Sequence, residues 1–371
     1  MTSAAEMLAF GQFETHEQAT LDEAAHASAI DLYSTSSAQE AMQWLEQHEA
    51  SAILLAQGQD GENLALNTRA QGRHRALPIL SLAHEPSDLI FVGAYSWGAD
   101  DVVSPDSSWP LARRLRALTQ ASSGQQPAPR GTAVVGELDQ YRRVATARAL
   151  FNVGYDVRFA LTEEDLQAFS LEPKVSLVVL STELCGCAAA LIDETRSNGS
   201  IAQFIVSAEP RKHNELSKQL FRKNDVRLTD SSAPPENVVF LANELAAGTL
   251  PDKRASPRIL HGTTVRFRGE GRERDELGFS YNVSEGGMYV RTLAPPIDDV
   301  VWLELTPPKS SKRVRLVGEV AWRRPFGPSG RATVPPGFGL KLIDASHSCR
   351  LRWQEGCSAA ASELYLLSEH P

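Results

Sequence analysis

Apolar residues follow two kinds of pattern along this chain, and one gives way to the other near residue 250. Before that point they form short continuous runs at residues 7–10, 30–33, 52–56, 77–82 and 100–103. Runs without alternation fit strands buried on both faces of a parallel sheet. Amphipathic stretches lie between the runs. Ser37, with Glu40 three residues on, predicts a capping box opening a helix that carries Met42, Trp44 and Leu45. A second helix is predicted over 109–118. Strands alternating with helices predict a doubly wound α/β domain over residues 1–119.

Residues 120–130 contain Ser-Ser-Gly-Gln-Gln-Pro-Ala-Pro, a polar linker with little to bury. The same organisation then repeats over 131–248. Strands are predicted at 132–135, 154–159, 175–180, 201–206 and 225–229, with helices at 141–151 and 234–247. Val144, Ala147, Leu150 and Phe151 stand at core spacing in the first of these helices.

From 249 to 371 the pattern changes to short strands with Gly/Pro turns and no helices between them. Residues 263–267, 277–281, 287–291, 300–305, 313–322 and 338–343 predict a small six-stranded β-barrel. Residues 358–368 then predict a C-terminal helix, with Gly356 and Cys357 just ahead of it. The fold class is multidomain: two doubly wound α/β domains, then a barrel with a helix.

Composition changes this picture in one respect. The 371 residues are 42% hydrophobic and 22% charged, with net charge −9, which suits several globular domains. The charge is uneven: 19 basic and 32 acidic side chains in residues 1–249, against 18 and 14 in the remainder. An anionic ligand is therefore expected in the C-terminal third. No run is long enough to span a bilayer and no signal-like N-terminus is evident, so a cytoplasmic location is expected. The four cysteines have neither CxxC nor metal-site spacing.

The candidate binding chemistry lies at the start of the third domain. Lys253, Arg254 and Arg258 precede its first strand, and Asn282, Ser284 and Gly287 form an NxSxxG turn further on. Two guanidinium forks four residues apart can grip phosphate or the acceptor edge of guanine, and the turn offers an amide, a hydroxyl and approachable backbone N–H groups. This pair of elements resembles the PilZ domain, the bacterial receptor for cyclic di-GMP. The resemblance implies that Arg254 and Arg258 hold guanine and phosphate. It also implies that Asn282, Ser284 and Gly287 form the barrel-surface part of the site, and that Lys253 supplies charge where many members carry arginine.

The two upstream domains resemble the receiver domains of response regulators, the first most visibly in Gly98-Ala99-Asp100-Asp101-Val102-Val103. Receivers need an acceptor aspartate, carboxylates that hold Mg²⁺ and a lysine facing the phosphoryl group. Here the acceptor positions hold Ala56 and Ser181, and Ser104-Pro105 and Asp230 stand in the lysine region. Neither domain is expected to be phosphorylated. Glu14 reads as a solvated loop acid, and Asp100-Asp101 as an acidic turn. The receiver family's interaction face falls on Trp97, Trp109, Arg113 and Arg116, with Trp97 equally readable as core.

The expected function is a non-enzymatic signalling adaptor: cyclic di-GMP binds the barrel, and the receiver-like domains bind a signalling protein or a second copy. A ligand-free scaffold of the same shape is the first alternative and a phosphorylation-driven regulator the second. No cofactor, metal, nucleic acid or membrane partner is expected.

Overall fold

The computed structural model describes residues 5–70, 74, 77–120, 127–220, 223–248, 256–327 and 333–369, with side chains described as far as Ser362. The chain forms two compact units. One comprises residues 1–123, 256–327 and 336–359; the other comprises 124–255, 328–335 and 360–371.

The first unit begins with β1 (Ala5–Phe10), α1 (Thr15–His26), β2 (Ile30–Thr35), α2 (Ala38–Gln47) and β3 (Ala52–Ala56). It continues with α3 (Gln59–Ala70), β4 (Ile79–Leu82), α4 (Asp88–Ser96), β5 (Asp101–Val103) and α5 (Ser108–Thr119). The sheet is parallel, in the order β2-β1-β3-β4-β5. Its unbroken apolar runs have a direct cause. In β3, Ala52 and Leu54 enter one core while Ile53 and Leu55 enter the opposite one. Successive side chains of a strand point to opposite faces, and helices cover both. At α2 the predicted capping box is half formed. Ser37 Oγ accepts from Glu40 N, but the Glu40 carboxylate takes the Thr35 hydroxyl instead of Ser37 N.

In the same unit stands a barrel of β12 (Thr264–Gly269), β13 (Glu276–Ser284), β14 (Gly287–Arg291), β15 (Val300–Leu305), β16 (Val314–Arg324) and β17 (Gly337–Ala345). These six antiparallel strands close through β13–β14 pairing, and the two-residue β11 (Ile259–Leu260) adds to the free side of β13. The final helix, α11 (His347–Glu369), starts eleven residues before the predicted 358. Gly356 looks like a boundary in sequence but lies inside the helix, where a Cβ would come within 2.4 Å of the Pro308 carbonyl. Glycine is there for close approach, and Trp353, 1% exposed, anchors the turn before it.

The second unit repeats the α/β plan. Its elements are β6 (Thr132–Gly136), α6 (Gln140–Phe151), β7 (Asp156–Ala160), α7 (Glu163–Ser170), β8 (Val175–Ser181) and α8 (Ala188–Ser197). After them come β9 (Gln203–Ala208), α9 (His213–Gln219), β10 (Val226–Asp230) and α10 (Asn237–Ala247). Read from β7, the strand order is β7-β6-β8-β9-β10, the same 2-1-3-4-5 arrangement as the first sheet.

Candidate functional site

The NxSxxG segment bridges β13 and β14. Asn282 is buried in the ladder opposite Tyr289, and Ser284 stands opposite Gly287. Ser284 Oγ donates to the Gly287 carbonyl at 3.3 Å, closing the turn on itself. Gly287 is obligatory by contact, since a Cβ there would meet the Leu340 carbonyl at 2.3 Å. Gly286 has open space on its side-chain face, so a ligand can approach its backbone. Pairing of Ile259 with Val283 and Leu260 with Asn282 carries exposed Arg258 to the strand end alongside Ser284. Arg258, Asn282, Ser284 and Gly287 therefore share one end of the β11–β13–β14 ladder, with Arg258 exposed, Ser284 half-buried, and Asn282 and Gly287 buried. Lys253 and Arg254 fall outside the described residues.

The α11 helix fixes this turn from beneath. Trp353 Nε1 donates to both the Ser284 and the Glu285 carbonyls at 3.2 Å, and Ser358 Oγ donates to the Glu285 carboxylate at 2.6 Å. The backbone N–H of Leu342 donates to the Gly286 carbonyl at 2.9 Å. Sequence reading missed these supports. The available signal was Trp353, an indole between the last predicted strand and the predicted helix, because a buried indole N–H needs an acceptor. It also missed the cross-strand row that continues from Asn282 and Tyr289 to Gly339 and Trp322. In that row Tyr289 stacks on Trp322 at 4.9 Å, and burial holds its phenol well above the usual range.

The other half of β13 joins the barrel to the first α/β sheet. Phe279 stacks on Phe91 of α4 at 5.1 Å and meets Tyr95 edge-on at 5.8 Å. The Arg291 guanidinium lies 3.3 Å from the centre of the Tyr95 ring. Asp101, at 0% exposure, accepts from Leu293 N at 2.8 Å and from Arg114 Nε at 2.9 Å. Arg114 also donates to the Leu277 carbonyl at 2.7 Å, and Arg113 pairs with Glu276. Burial pushes the Glu276 carboxyl up and the Arg113 guanidinium down, each opposed by its partner. At the far edge, Asp88 at the start of α4 accepts from Thr264 N at 2.6 Å and Thr264 Oγ1 at 2.7 Å.

Asp100 and Asp101 stand at the expected acidic turn from helix to strand, and the structure buries both: Asp100 pairs with buried Arg69 at 3.2 Å, and Asp101 is the centre of the joint. Their partners stand 31 positions back and 13 positions on, beyond what a local pattern reveals. The α4–β5–α5 face is also not open, because the chain's own barrel covers it. Of the four residues assigned to that face, Arg113 enters the joint and Trp109 lies under its guanidinium at 5.4 Å. Trp97 is half-buried against the sheet core, and Arg116 donates to the Ala27 carbonyl at 3.2 Å.

The C-terminal ends of β3 and β8 are lined by the protein's own side chains. In the first, the Ala56 methyl crowds Gly11, where a Cβ would come within 2.2 Å. His84 is bracketed by Asp106 at 2.8 Å and Glu17 at 2.9 Å. The hydrogen bond it donates to the Asp106 carboxylate raises the imidazole above its ordinary range, with burial opposing it. In the second, buried Ser181 ends β8 and Asp230 ends β10. Arg142 spans that end, 3.6 Å from the Glu137 carboxylate, and donates to the Asp230 carbonyl at 3.1 Å and the Ala233 carbonyl at 3.3 Å. Burial raises the Glu137 carboxyl, while Arg142 opposes that rise. Cys185 is buried, with its thiol pushed up to about 11 by desolvation, so it is inert; Cys187 is exposed. Among the described residues no group of His, Cys, Asp and Glu could hold a metal, and no helix is long and apolar enough to cross a membrane.

Comparison with known proteins matches residues 252–352 to the PilZ domain. Comparison with curated proteins gives no match. Among solved structures, the chain is similar to the Bacillus subtilis inhibitor of motility MotI/DgrA, at 14% identity, TM-score 0.25, over 30% of this chain and about half (52%) of that one. It is similar to the PilZ domain of CeSA from a cellulose-synthesising bacterium, at 16% identity, TM-score 0.20, over 30% of this chain and 99% of that one. A response regulator from Chloroflexus aurantiacus is similar at 19% identity, TM-score 0.29, over 31% of this chain and 98% of that one.

Proposed function

We propose that this chain is a non-enzymatic adaptor that responds to cyclic di-GMP. The PilZ domain receives the nucleotide; Arg258 and Arg254 grip phosphate and guanine, Lys253 adds charge, and the turn of Asn282, Ser284 and Gly287 forms the docking element, with Asn282 and Gly287 buried in its ladder. The observation that carries this reading is the β11–β13 pairing, which sets exposed Arg258 beside the Ser284–Gly287 turn within the matched residues. A guanidinium there can make two charge-assisted hydrogen bonds to a phosphate or to the O6/N7 edge of guanine. The open backbone at Gly286 supports the same reading. Partner binding belongs to the receiver-like domains. With the first one's α4–β5–α5 face under the barrel, the second domain is the better candidate for contact with another protein.

Titration calorimetry of the full chain with cyclic di-GMP, with GTP as control, tests this. Saturable binding is expected for cyclic di-GMP alone. Loss of a paired charge of this kind costs about 2–5 kcal/mol in interfaces, so Arg258→Ala should lose tens-fold or more in affinity. Arg254→Ala should lose a similar amount, and Ser284→Ala less. No binding by the wild type would leave a ligand-free scaffold; binding unchanged in Arg258→Ala would move the site elsewhere on the protein.

A further inference from the structure

On the outer surface of the barrel, opposite the closing strands, Trp302 is 50% exposed although it sits mid-strand in β15. Its neighbours are ordered by strand pairing into three parallel rows across β12, β15 and β16. The first row is Arg266, Glu304 and Arg315. The second is Arg268, Trp302 and Val317. The third is Glu270, Val300 and Glu319, with Glu270 N donating to the Val300 carbonyl at 3.0 Å. Rows two residues apart share a face of the sheet. The face therefore has a net cationic edge, a middle of Trp302 and Val317 that ends in Arg268, and an anionic edge. Glu304 in the first row shares Arg313 at 3.3 Å and Arg315 at 2.9 Å, and Asp275 lies 3.6 Å from Arg266, so three arginines stand against two carboxylates there.

We infer that this face is a two-fold contact between two copies of the chain. A two-fold axis lying along the middle row turns the strands end for end, so the first row of one copy lies over the third row of the other. Arg315 then faces Glu319 of the second copy, and Arg266 faces its Glu270. Each contact occurs twice, as isologous symmetry requires. Trp302 and Val317 meet their own counterparts at the axis and leave water together. Arg268 meets its counterpart too, at the open end of the row, one row away from Glu270 just past the end of the same strand. An axis along the strands would instead set arginine row against arginine row, and the like charges reject it. Charge order thus selects both the occupant and the orientation. The surface is small and the barrel convex, so the association belongs at the weak end of specific contacts, with Kd of roughly micromolar order.

Sedimentation velocity of the full chain without nucleotide, over roughly micromolar to hundred-micromolar concentration, reads this directly and independently of ligand binding. A monomer–dimer equilibrium is expected for the wild type. Trp302→Ala and Arg315→Glu each should weaken it tenfold or more. The exchange Arg315→Glu with Glu319→Arg should restore it, because the contact pairs these positions across the axis. Tryptophan fluorescence checks that each variant is folded. A wild type that stays monomeric overturns the inference. So does a dimer indifferent to Arg315→Glu, or a double exchange that fails to recover association.

Discussion

The two receiver-like domains share a strand order and both lack the acceptor aspartate, yet the corresponding faces have different fates. In the first, β5 opens with Asp101, which together with Arg114 and Arg113 of α5 forms a buried charged joint to the barrel. In the second, β10 runs Val226-Arg227-Leu228-Thr229-Asp230. The ion pair there, between Arg227 and Glu244 of α10, is partly exposed and 3.8 Å long. The same strand order thus carries a buried joint in one domain and a part-exposed ion pair in the other, and a few charged positions make the difference. A buried pair with its hydrogen bonds completed is costly to break, whereas a solvated pair is not. In the first domain that difference makes the α4–β5–α5 face a fixed internal joint.

The comparison can be broken at its strongest point. Arg114→Ala leaves Asp101 buried without its cation and should destabilise the first unit by about 3–5 kcal/mol. All six tryptophans, Trp44, Trp97, Trp109, Trp302, Trp322 and Trp353, lie in that unit. Urea unfolding followed by tryptophan fluorescence therefore reports on it alone. The matched control is Arg196→Ala in the second unit, whose partner Asp225 is 43% exposed. That change should cost about 1 kcal/mol or less and leave the fluorescence transition in place. Equal shifts for the two variants would contradict the distinction drawn between the faces.

A smaller effect is expected at the first acceptor end. His84 gains its proton affinity in the folded state, so its contribution is fully present below the unfolded imidazole value of about 6.5. It fades as pH rises through the raised folded value. The melting temperature of His84→Gln should fall below wild type in acid and converge with it toward pH 8. A gap independent of pH would assign His84 a packing role only. The second acceptor end, filled by Arg142, should show no matching step in that range. The smallest effect is a null for both domains. Acetyl phosphate with Mg²⁺ should add no phosphoryl group to residues 1–248, and intact-mass spectrometry would reveal one if the ends were competent.

Much of the fold was legible in local pattern. Continuous runs such as 52–56 and 175–180 marked strands covered on both faces, and the alternation of 313–322 marked a barrel strand. The turn of Asn282, Ser284 and Gly287 stood out because its residue types have few other uses in that spacing. The end of the chain was less legible: Gly356 suggested a break where the structure has a close crossing with Pro308. The acidic turn at 100–101 was legible, but its burial was not, because its partners Arg69 and Arg114 lie 31 and 13 positions away.

The sequence by itself determined the strand and helix periods, the glycine positions and the absence of acceptor aspartates, since these depend on residue type and short spacing. Only the tertiary structure decided where the charges went. Leu293 N reaches Asp101 across 192 positions, Glu276 reaches Arg113 across 163, and Trp353 supports a turn 69 residues before it. Whether a charged group is solvated or buried depends on which distant segment covers it, and burial then fixes both its energy and its proton affinity.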